Sequence, residues 1–239
     1  MMHYDKKIRN SVIALICAIV ITIATVMASY FAIYGPHGVT LLGNKDKKAS
    51  AYANAQAEQG ATVFLGDSIT EMCNLAEFYP TVNSCNRGIS GDTTSGMLRR
   101  LESNALDLAP AKLVFLGGTN DIGKGVPPQE IAKNIQSIIV KTRATLPACK
   151  IFIQSVYPVN AIIKPTFFSK TGCRNNKTID ELNSLLQDIC DAYDCVYIDV
   201  NSSLKDKAGN LNNRYTLDGL HLTKDGYSRV ASVVTPYII

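Results

Sequence analysis

Apolar residues from position 61 onward fall into short continuous runs. Two of them, KLVFLG at 112–117 and KIFIQSV at 150–156, are almost wholly hydrophobic, which is typical of strands buried on both faces of a parallel sheet. Similar runs recur along the rest of the chain. The pattern therefore predicts strands at 62–66, 83–87, 112–117, 150–156 and 195–200.

The stretches between these runs have a helical period. In the clearest example, Ile131, Ile135, Ile138 and Ile139 fall at i, i+4, i+7 and i+8 after a pair of prolines, as expected of a helix with one buried face. Strand–helix alternation over about 180 residues predicts an α/β fold, a doubly wound three-layer α/β/α sandwich with a five-stranded parallel sheet. Helices are expected at 69–79, 93–103, 128–146, 178–193 and 223–235.

The N-terminal part of the chain has a different pattern, with no charged residue between positions 11 and 33. A helix of this length reaches roughly 35 Å, and the hydrocarbon core of a membrane is about 30 Å thick. Lys6, Lys7 and Arg9 precede the segment, which by the positive-inside rule keeps the N-terminus in the cytoplasm. We therefore expect a cytoplasmic tail at 1–10, a single-pass transmembrane signal-anchor at 11–33, and a globular domain outside the cytoplasm.

A cleaved signal peptide, which would give a secreted protein, is the alternative for the same segment. Val26-Met27-Ala28 offers a cleavage site with small residues. The apolar run continues past this site to Ile33, however, and is longer than the usual core of a signal peptide, which favours the anchor. Residues 34–58 are expected to form a juxtamembrane tether with a helical lead-in, and residues 59–239 the globular domain.

The charge of the chain disfavours nucleic-acid binding. The formal net charge is only +4, and the lysines and arginines are scattered along the sequence. A nucleic-acid surface requires a basic patch or stripe instead. The hydrophobic content of 46% fits a globular domain with a substantial core.

Six cysteines follow the apolar segment, which itself contains Cys17. An even number of cysteines in an exported domain permits disulfides. Cys73 with Cys85 and Cys190 with Cys195 are close enough in sequence to pair, whereas buried reduced thiols are the alternative. Sequence alone does not decide the pairing among Cys73, Cys85, Cys149, Cys173, Cys190 and Cys195.

The first apolar run is followed by Gly66-Asp67-Ser68. A serine in this position stands at the carboxyl edge of the sheet, where ligands of doubly wound folds bind. Its hydroxyl can act there as a nucleophile, and its own N–H can donate to an oxyanion. Capping of the helix that follows is the alternative role for Ser68.

Two later loops place further polar groups after strands. The glycines of 86–94 (NRGISGDTT) let the backbone come close to a ligand and expose an N–H. Asn120, in the GGTND stretch at 117–121, carries a neutral amide donor that suits developing negative charge. Ordinary turn formation is the alternative for both loops, because Gly, Asn and Asp dominate turns.

The fragment Asp218-Gly219-Leu220-His221 lies near the C-terminus. Its histidine is the only one in the predicted globular domain, since His3 precedes the apolar segment and His37 closely follows it. A carboxylate three residues away can reach Nδ1 of this imidazole, so that Nε2 faces the serine. Together with Ser68, the fragment supplies the nucleophile, base and orienting carboxylate of a serine hydrolase.

These fragments, in this order, resemble the sequence blocks of the SGNH hydrolases of the GDSL esterase/lipase family. Gly66-Asp67-Ser68 resembles the first block, 88–92 the second, 118–121 the third and 218–221 the last. The second block is similar to that of the branch that contains platelet-activating-factor acetylhydrolase-like subunits and bacterial acyl-esterases. The resemblance covers roughly residues 60–239 and implies a flavodoxin-like SGNH fold.

The resemblance also implies the catalytic roles. Ser68 is expected to be the nucleophile, His221 the general base and then acid, and Asp218 the residue that orients the histidine. The oxyanion hole is expected to comprise the N–H of Ser68, the N–H of Gly91 and the side-chain amide of Asn120.

Gly91 is preferred to Gly88 as the donor because the donor of the family directly precedes an Asp-Thr pair. The resemblance makes Asp67 and Asp121 structural residues that hold the loops. It implies neither a metal ion nor an organic cofactor.

The expected function is that of a membrane-anchored extracytoplasmic serine esterase. Its substrate would be an acylated glycan, a lysophospholipid or a small acyl ester, cleaved through an acyl-enzyme. An acyltransferase that acts on envelope glycans with the same serine is the alternative enzyme. A non-catalytic glycan-binding module is a weaker alternative, because a binding protein has no use for an aligned base and oxyanion donors.

Overall fold

The computed structural model describes residues 10–16, 18, 19, 21, 22, 25, 45–54, 59–163 and 169–239. Residues 45–239 form one compact unit. Within the described residues, no helix is both long and apolar enough to cross a membrane. Much of the predicted anchor at 11–33, and most of the predicted tether at 34–58, lies outside them.

The predicted parallel sheet is confirmed. Its five strands run parallel in the order β2-β1-β3-β4-β5. In this order the carboxyl ends of β1, β2 and β3 lie side by side, because Gly66 of β1 pairs with Gly88 of β2 on one side and with Leu116 of β3 on the other. The strands are β1 Thr62–Gly66, β2 Ser84–Gly88, β3 Lys112–Leu116, β4 Lys150–Gln154 and β5 Val196–Ile198.

The helices follow the strands as predicted, but two predicted helices are each divided into two short ones. The observed helices are α1 Lys45–Ala53, α2 Ser68–Glu71, α3 Leu75–Phe78, α4 Thr94–Arg99, α5 Leu101–Asn104, α6 Thr119–Gly123, α7 Pro128–Thr145, α8 Asn176–Ala192, α9 Asn201–Leu204 and α10 Lys224–Ile238, with a 3-10 helix at Leu106–Leu108.

The break between α2 and α3 is explained by a side chain of the neighbouring strand β2. The side-chain amide of Asn86, on β2, donates to the carbonyls of Thr70 and Cys73 at 2.7 and 3.1 Å. These bonds satisfy carbonyls that a continuous helix would otherwise use, so the chain leaves the helix after Glu71. Apolar periodicity cannot show such a bond, because it comes from another strand.

Two apolar clusters form the core, one on each face of the sheet. Val63 and Leu65 of β1 belong to the first, with residues of α4, α5, α7 and α8. Phe64, between them, belongs to the second, with residues of α2, α3, α9 and α10. Successive strand residues point to opposite faces, so these continuous apolar runs are buried on both sides. The predicted three-layer sandwich is therefore the observed one.

Neither cysteine pairing favoured by sequence proximity is present, and all six described cysteines are free thiols. Cys73 and Cys85 lie on opposite faces of the sheet, since Cys73 packs against the second cluster and Cys85 against the first. Cys190 and Cys195 are neighbours, and the backbone N–H of Cys195 donates to the carbonyl of Cys190 at 3.1 Å. Their thiols are nevertheless not joined by a disulfide.

Helix α1 packs against the domain although the sequence pattern assigns it to the tether. Asn104 donates its side-chain amide to the carbonyl of Ala49 at 2.9 Å, and the hydroxyl of Tyr52 donates to the carbonyl of Gly88 at 3.1 Å. The guanidinium of Arg87 also lies 4.8 Å from the centre of the Tyr52 ring. The compact unit therefore begins at Lys45, earlier than the predicted boundary at 59.

Arg100 ties the carboxyl ends of two strands to the loop that follows β2. Its Nε donates to Asp92 at 2.7 Å, and both side chains are 8% exposed. Its other nitrogens donate to the carbonyls of Arg87 at 2.9 Å and Gly66 at 3.0 Å. A planar guanidinium can satisfy these three acceptors together, whereas a lysine ammonium presents a point charge.

Arg100→Met is expected to lower the free energy of unfolding by about 3–5 kcal/mol, because it leaves the Asp92 carboxylate buried without its cation. Urea unfolding of the full chain in detergent solution measures the change. Arg99→Met is the matched control, since Arg99 is adjacent and exposed. A loss as small as that of the control would show that the buried pair does not stabilise the fold.

Candidate active site

Ser68 begins α2 directly after β1 and does not cap it. The cap is Asp67, whose carboxylate accepts from the N–H of Ile69 at 2.9 Å. Asp67 therefore caps the helix, which was the alternative role considered for Ser68. The hydroxyl oxygen of Ser68 is left 3.0 Å from Nε2 of His221.

Gly66 allows the helix to start so close to the strand. A Cβ at this position would lie 2.0 Å from Oγ1 of Thr70 and 2.8 Å from the carbonyl oxygen of Leu116. A larger residue would push the first turn of α2, and with it Ser68, away from the edge of the sheet. Close packing at this position therefore requires a glycine, in addition to its place in the sequence motif.

His221 and Asp218 form the second half of a hydrogen-bonded chain. Nδ1 of His221 lies 2.7 Å from Oδ2 of Asp218. The other carboxylate oxygen accepts from the backbone N–H groups of Leu220 and His221 at 2.9 and 2.8 Å. These bonds orient the carboxylate so that Nδ1 carries the proton, which leaves Nε2 free to accept the serine proton.

Asp218 is poised to remain ionised although it is only 4% exposed. Burial acts to raise the pKa of its carboxyl group, but the hydrogen bonds and charge of His221 and the backbone N–H groups outweigh burial. The pKa of Asp218 is therefore lowered from its ordinary value. A carboxylate that stays charged can stabilise an imidazolium next to it.

The predicted oxyanion donors lie in loops that contact each other. The side-chain amide of Asn120 donates to the carbonyl of Asp92 at 2.9 Å, which ties it to the residue after Gly91. Gly91 has a φ of +71°, a conformation that favours glycine. None of the described residues accepts a hydrogen bond from the backbone N–H of Ser68 or of Gly91, so both N–H groups are available to an oxyanion.

Side chains of α1 and α2 hold the Gly91 loop in place. The carboxylate of Glu71 accepts from the backbone N–H of Ser90 and pairs with the ammonium of Lys48. The ammonium of Lys45 donates to the carbonyl of Gly91. The loop is therefore fixed by side chains whose role at the site the sequence patterns did not indicate.

Asp121 holds the start of α4 close to the site. Its carboxylate accepts from the backbone N–H of Thr94 at 3.0 Å and from the Thr94 hydroxyl at 2.7 Å. Burial raises the pKa of Asp121, and the bonds from Thr94 oppose the shift. These contacts agree with the structural role predicted for Asp121.

Arg174 is a site residue that sequence reasoning missed. Its guanidinium donates to Oδ1 of Asn120 at 2.8 Å and to the carbonyl of Thr119 at 2.8 Å. A single arginine in a long loop has no periodicity or motif, so only the position of its loop after β4 hinted at the pocket.

Within the described residues, no group of three or more His, Cys, Asp or Glu side chains is arranged to hold a metal ion.

The comparison with known families agrees with this geometry. The model of the GDSL-like Lipase/Acylhydrolase family matches residues 64–229, a range that contains Ser68, Asn120, Arg174, Asp218 and His221. The chain belongs to this family. It is therefore a serine ester hydrolase, as predicted.

Several relatives are similar to this GDSL hydrolase. A solved protein from Streptococcus pneumonia, named for platelet activating factor, is 33% identical and covers 83% of this chain and 94% of its own, with a TM-score of 0.77. Platelet-activating factor acetylhydrolase IB subunit alpha2 of Gallus gallus is 22% identical over 82% of this chain and 85% of its own length.

An N-acylneuraminate cytidylyltransferase of Escherichia coli O18:K1:H7 is 33% identical over 60% of this chain. The GDSL hydrolase spans only 32% of the length of that relative, and 40% of the corresponding protein from Streptococcus agalactiae. The similarity therefore concerns one part of these longer enzymes.

Asp67 is the least satisfied polar group of the GDSL hydrolase site. Its side chain is fully buried, and Oδ2 has no hydrogen-bond partner among the described residues. Burial raises the pKa of Asp67 to about 6 from an ordinary value of 3.8, and the N–H of Ile69 acts in the opposite direction. Between these values the folded protein holds a proton that the unfolded chain has released, so stability falls as the pH rises.

Asp67→Asn is expected to remove this pH dependence while keeping an oxygen that can cap α2. Relative to the variant, the parent protein should lose about 2 kcal/mol of unfolding free energy as the pH rises from about 4 to about 6, since one pKa unit corresponds to about 1.4 kcal/mol and the folded carboxyl is still about half protonated at the upper end of this range. Urea unfolding across this range measures the difference, with exposed Asp107→Asn as the control for the amide substitution. A difference that does not change with pH would contradict the assignment.

Proposed function

We propose that this GDSL hydrolase cleaves short-chain carboxylic esters through an acyl-enzyme on Ser68. One observation carries the proposal. Ser68, His221 and Asp218 form a continuous hydrogen-bonded chain, with separations of 3.0 and 2.7 Å. A nucleophile, a base and an orienting carboxylate in this order are the parts needed for acyl transfer.

The first half of the proposed reaction forms the acyl-enzyme. Nε2 of His221 takes the hydroxyl proton of Ser68 while Oγ attacks the ester carbonyl carbon. The negative charge that develops on the carbonyl oxygen is stabilised by the N–H of Ser68, the N–H of Gly91 and the amide of Asn120. The intermediate then collapses, the bond between the carbonyl carbon and the alcohol oxygen breaks, and the imidazolium protonates that oxygen so that the alcohol leaves. Asp218 stabilises the imidazolium until the proton is transferred.

The second half releases the acid. His221 takes a proton from water, and the resulting hydroxide attacks the acyl carbonyl in the same oxyanion hole. Collapse of the intermediate breaks the bond to Oγ, and His221 returns the proton to Ser68. A sugar hydroxyl in place of water would give acyl transfer to a glycan, so the ratio of acid to transferred product distinguishes the two reactions.

The name of one relative supports a short acyl group. The Gallus gallus relative is named as an acetylhydrolase. An acylated glycan, a lysophospholipid and a small acyl ester all present the same ester carbonyl to Ser68. We take an acetyl ester as the first substrate to test.

We also propose that residues 11–33 anchor the protein in a membrane with the catalytic domain outside the cytoplasm. The uncharged length of this segment and the cations that precede it support the proposal. Secretion after cleavage near Ala28 is the alternative.

Ser68→Ala and His221→Ala are each expected to remove nearly all turnover of 4-nitrophenyl acetate by the full chain, because either change breaks the proton path to the nucleophile. Initial rates over a series of acyl lengths measure the effect and the preference. Ser232→Ala, at an exposed position on α10, is the matched serine control. Turnover in either site variant at more than a few per cent of the parent rate would exclude the proposed mechanism.

The full chain is expected to stay in the membrane pellet after a carbonate wash without detergent, at its uncleaved mass, and deletion of residues 11–33 is expected to release it. Immunoblotting of pellet and supernatant measures both. A soluble, shortened product would indicate cleavage, and a soluble product of full mass would show that the segment does not anchor the protein.

A further inference from the structure

The orientation of the Asn120 amide depends on a residue from another loop. Oδ1 of Asn120 accepts from a terminal nitrogen of Arg174 at 2.8 Å, and Nδ2 of Asn120 donates to the carbonyl of Asp92 at 2.9 Å. Both ends of the amide therefore have a partner. Asn120 lies after β3, whereas Arg174 lies just before α8.

The chemistry of the two partners permits only one orientation of the amide. A guanidinium has five N–H donors and no acceptor, so it can face only the oxygen of Asn120. The carbonyl of Asp92 can face only the nitrogen. One proton of Nδ2 is used by Asp92, and the second is left for an oxyanion.

We propose that Arg174 is a positioning residue of the oxyanion hole. It holds the amide of Asn120 with its N–H toward the reacting carbonyl, and its positive charge polarises that amide toward stronger donation. The proposal rests on the proposed function, because it concerns the same ester hydrolysis. Arg174 itself acts through Asn120 and need not touch the substrate.

The guanidinium is fixed independently of Asn120. Nε donates to the carbonyl and the hydroxyl of Thr119 at 2.8 and 3.1 Å, and a terminal nitrogen donates to the carbonyl of Thr171 at 3.1 Å. Gly123 provides the space, since a Cβ there would lie 2.7 Å from Cζ of Arg174. A lysine at position 174 would lack this planar set of donors.

Arg174→Met is expected to lower kcat for 4-nitrophenyl acetate by about tenfold to a hundredfold with KM changed less than twofold, because a misdirected donor is lost mainly in the transition state. Gly123→Ala, which displaces the guanidinium without removing it, is expected to lower kcat in the same direction. Lys177→Met is the matched control, since Lys177 is an exposed cation three positions away.

A double-mutant cycle with Asn120→Ala separates positioning from other roles. If Arg174 acts through Asn120, then Arg174→Met is expected to change kcat less than twofold in the Asn120→Ala background. An effect of equal size in both backgrounds would overturn the proposal in favour of a general structural role for the loop. A rise in KM confined to anionic esters would overturn it in favour of direct substrate binding.

Measurement of Ser68→Ala in parallel keeps this proposal distinct from the proposed function. Turnover retained in Ser68→Ala would remove the function itself. Loss of turnover in Ser68→Ala, with Arg174→Met within threefold of the parent, would remove only the role of Arg174. Far-ultraviolet circular dichroism and thermal unfolding show that each variant compared is folded.

Discussion

The hydrogen bond between Oγ of Ser68 and Nε2 of His221 closes a separation of 153 residues along the chain. The rest of the fold holds both side chains at this distance. The serine is fixed by its place after β1, and the histidine by a loop that leads into α10. Tyr227, on α10, donates its buried hydroxyl to the carbonyl of Ile69 at 2.8 Å. The element after the histidine is thus bonded directly to the helix that carries the serine.

Several buried polar groups around the site are satisfied by one another, whereas Asp67 is not fully satisfied. Arg100 neutralises Asp92, and Thr94 donates to Asp121. Such networks rigidify a site when they are complete, because each group lies in a medium of low polarisability where an unpaired partner is costly. Asp67 keeps one carboxylate oxygen without a partner. Its capping bond to Ile69 nevertheless fixes the turn that presents Ser68, so this destabilising residue helps to set the position of the Ser68 hydroxyl.

Features carried by local sequence were predictable, and features set by distant contacts were not. Apolar runs identified all five strands, and the sequence blocks identified His221 and Asp218, which the structure places beside Ser68. Periodicity did not reveal the break after Glu71, which depends on bonds from Asn86 on another strand. Sequence proximity suggested Cys73 with Cys85, but the two residues pack against different clusters on opposite faces of the sheet. The proposed role of Arg174 could not be predicted from local sequence either, because it depends on a contact with Asn120, 54 residues away along the chain.

The predicted oxyanion donors come from three loops, and different side chains hold each loop in place. Asp67 fixes the turn of Ser68, Glu71 and Lys45 fix the loop of Gly91, and Arg174 fixes Asn120. Donors that are already aligned avoid the reorganisation that water would undergo around the same charge, and this is the larger part of what such a site can contribute to rate. The sheet brings the three loops to one edge, whereas the side chains behind them set the geometry of the donors.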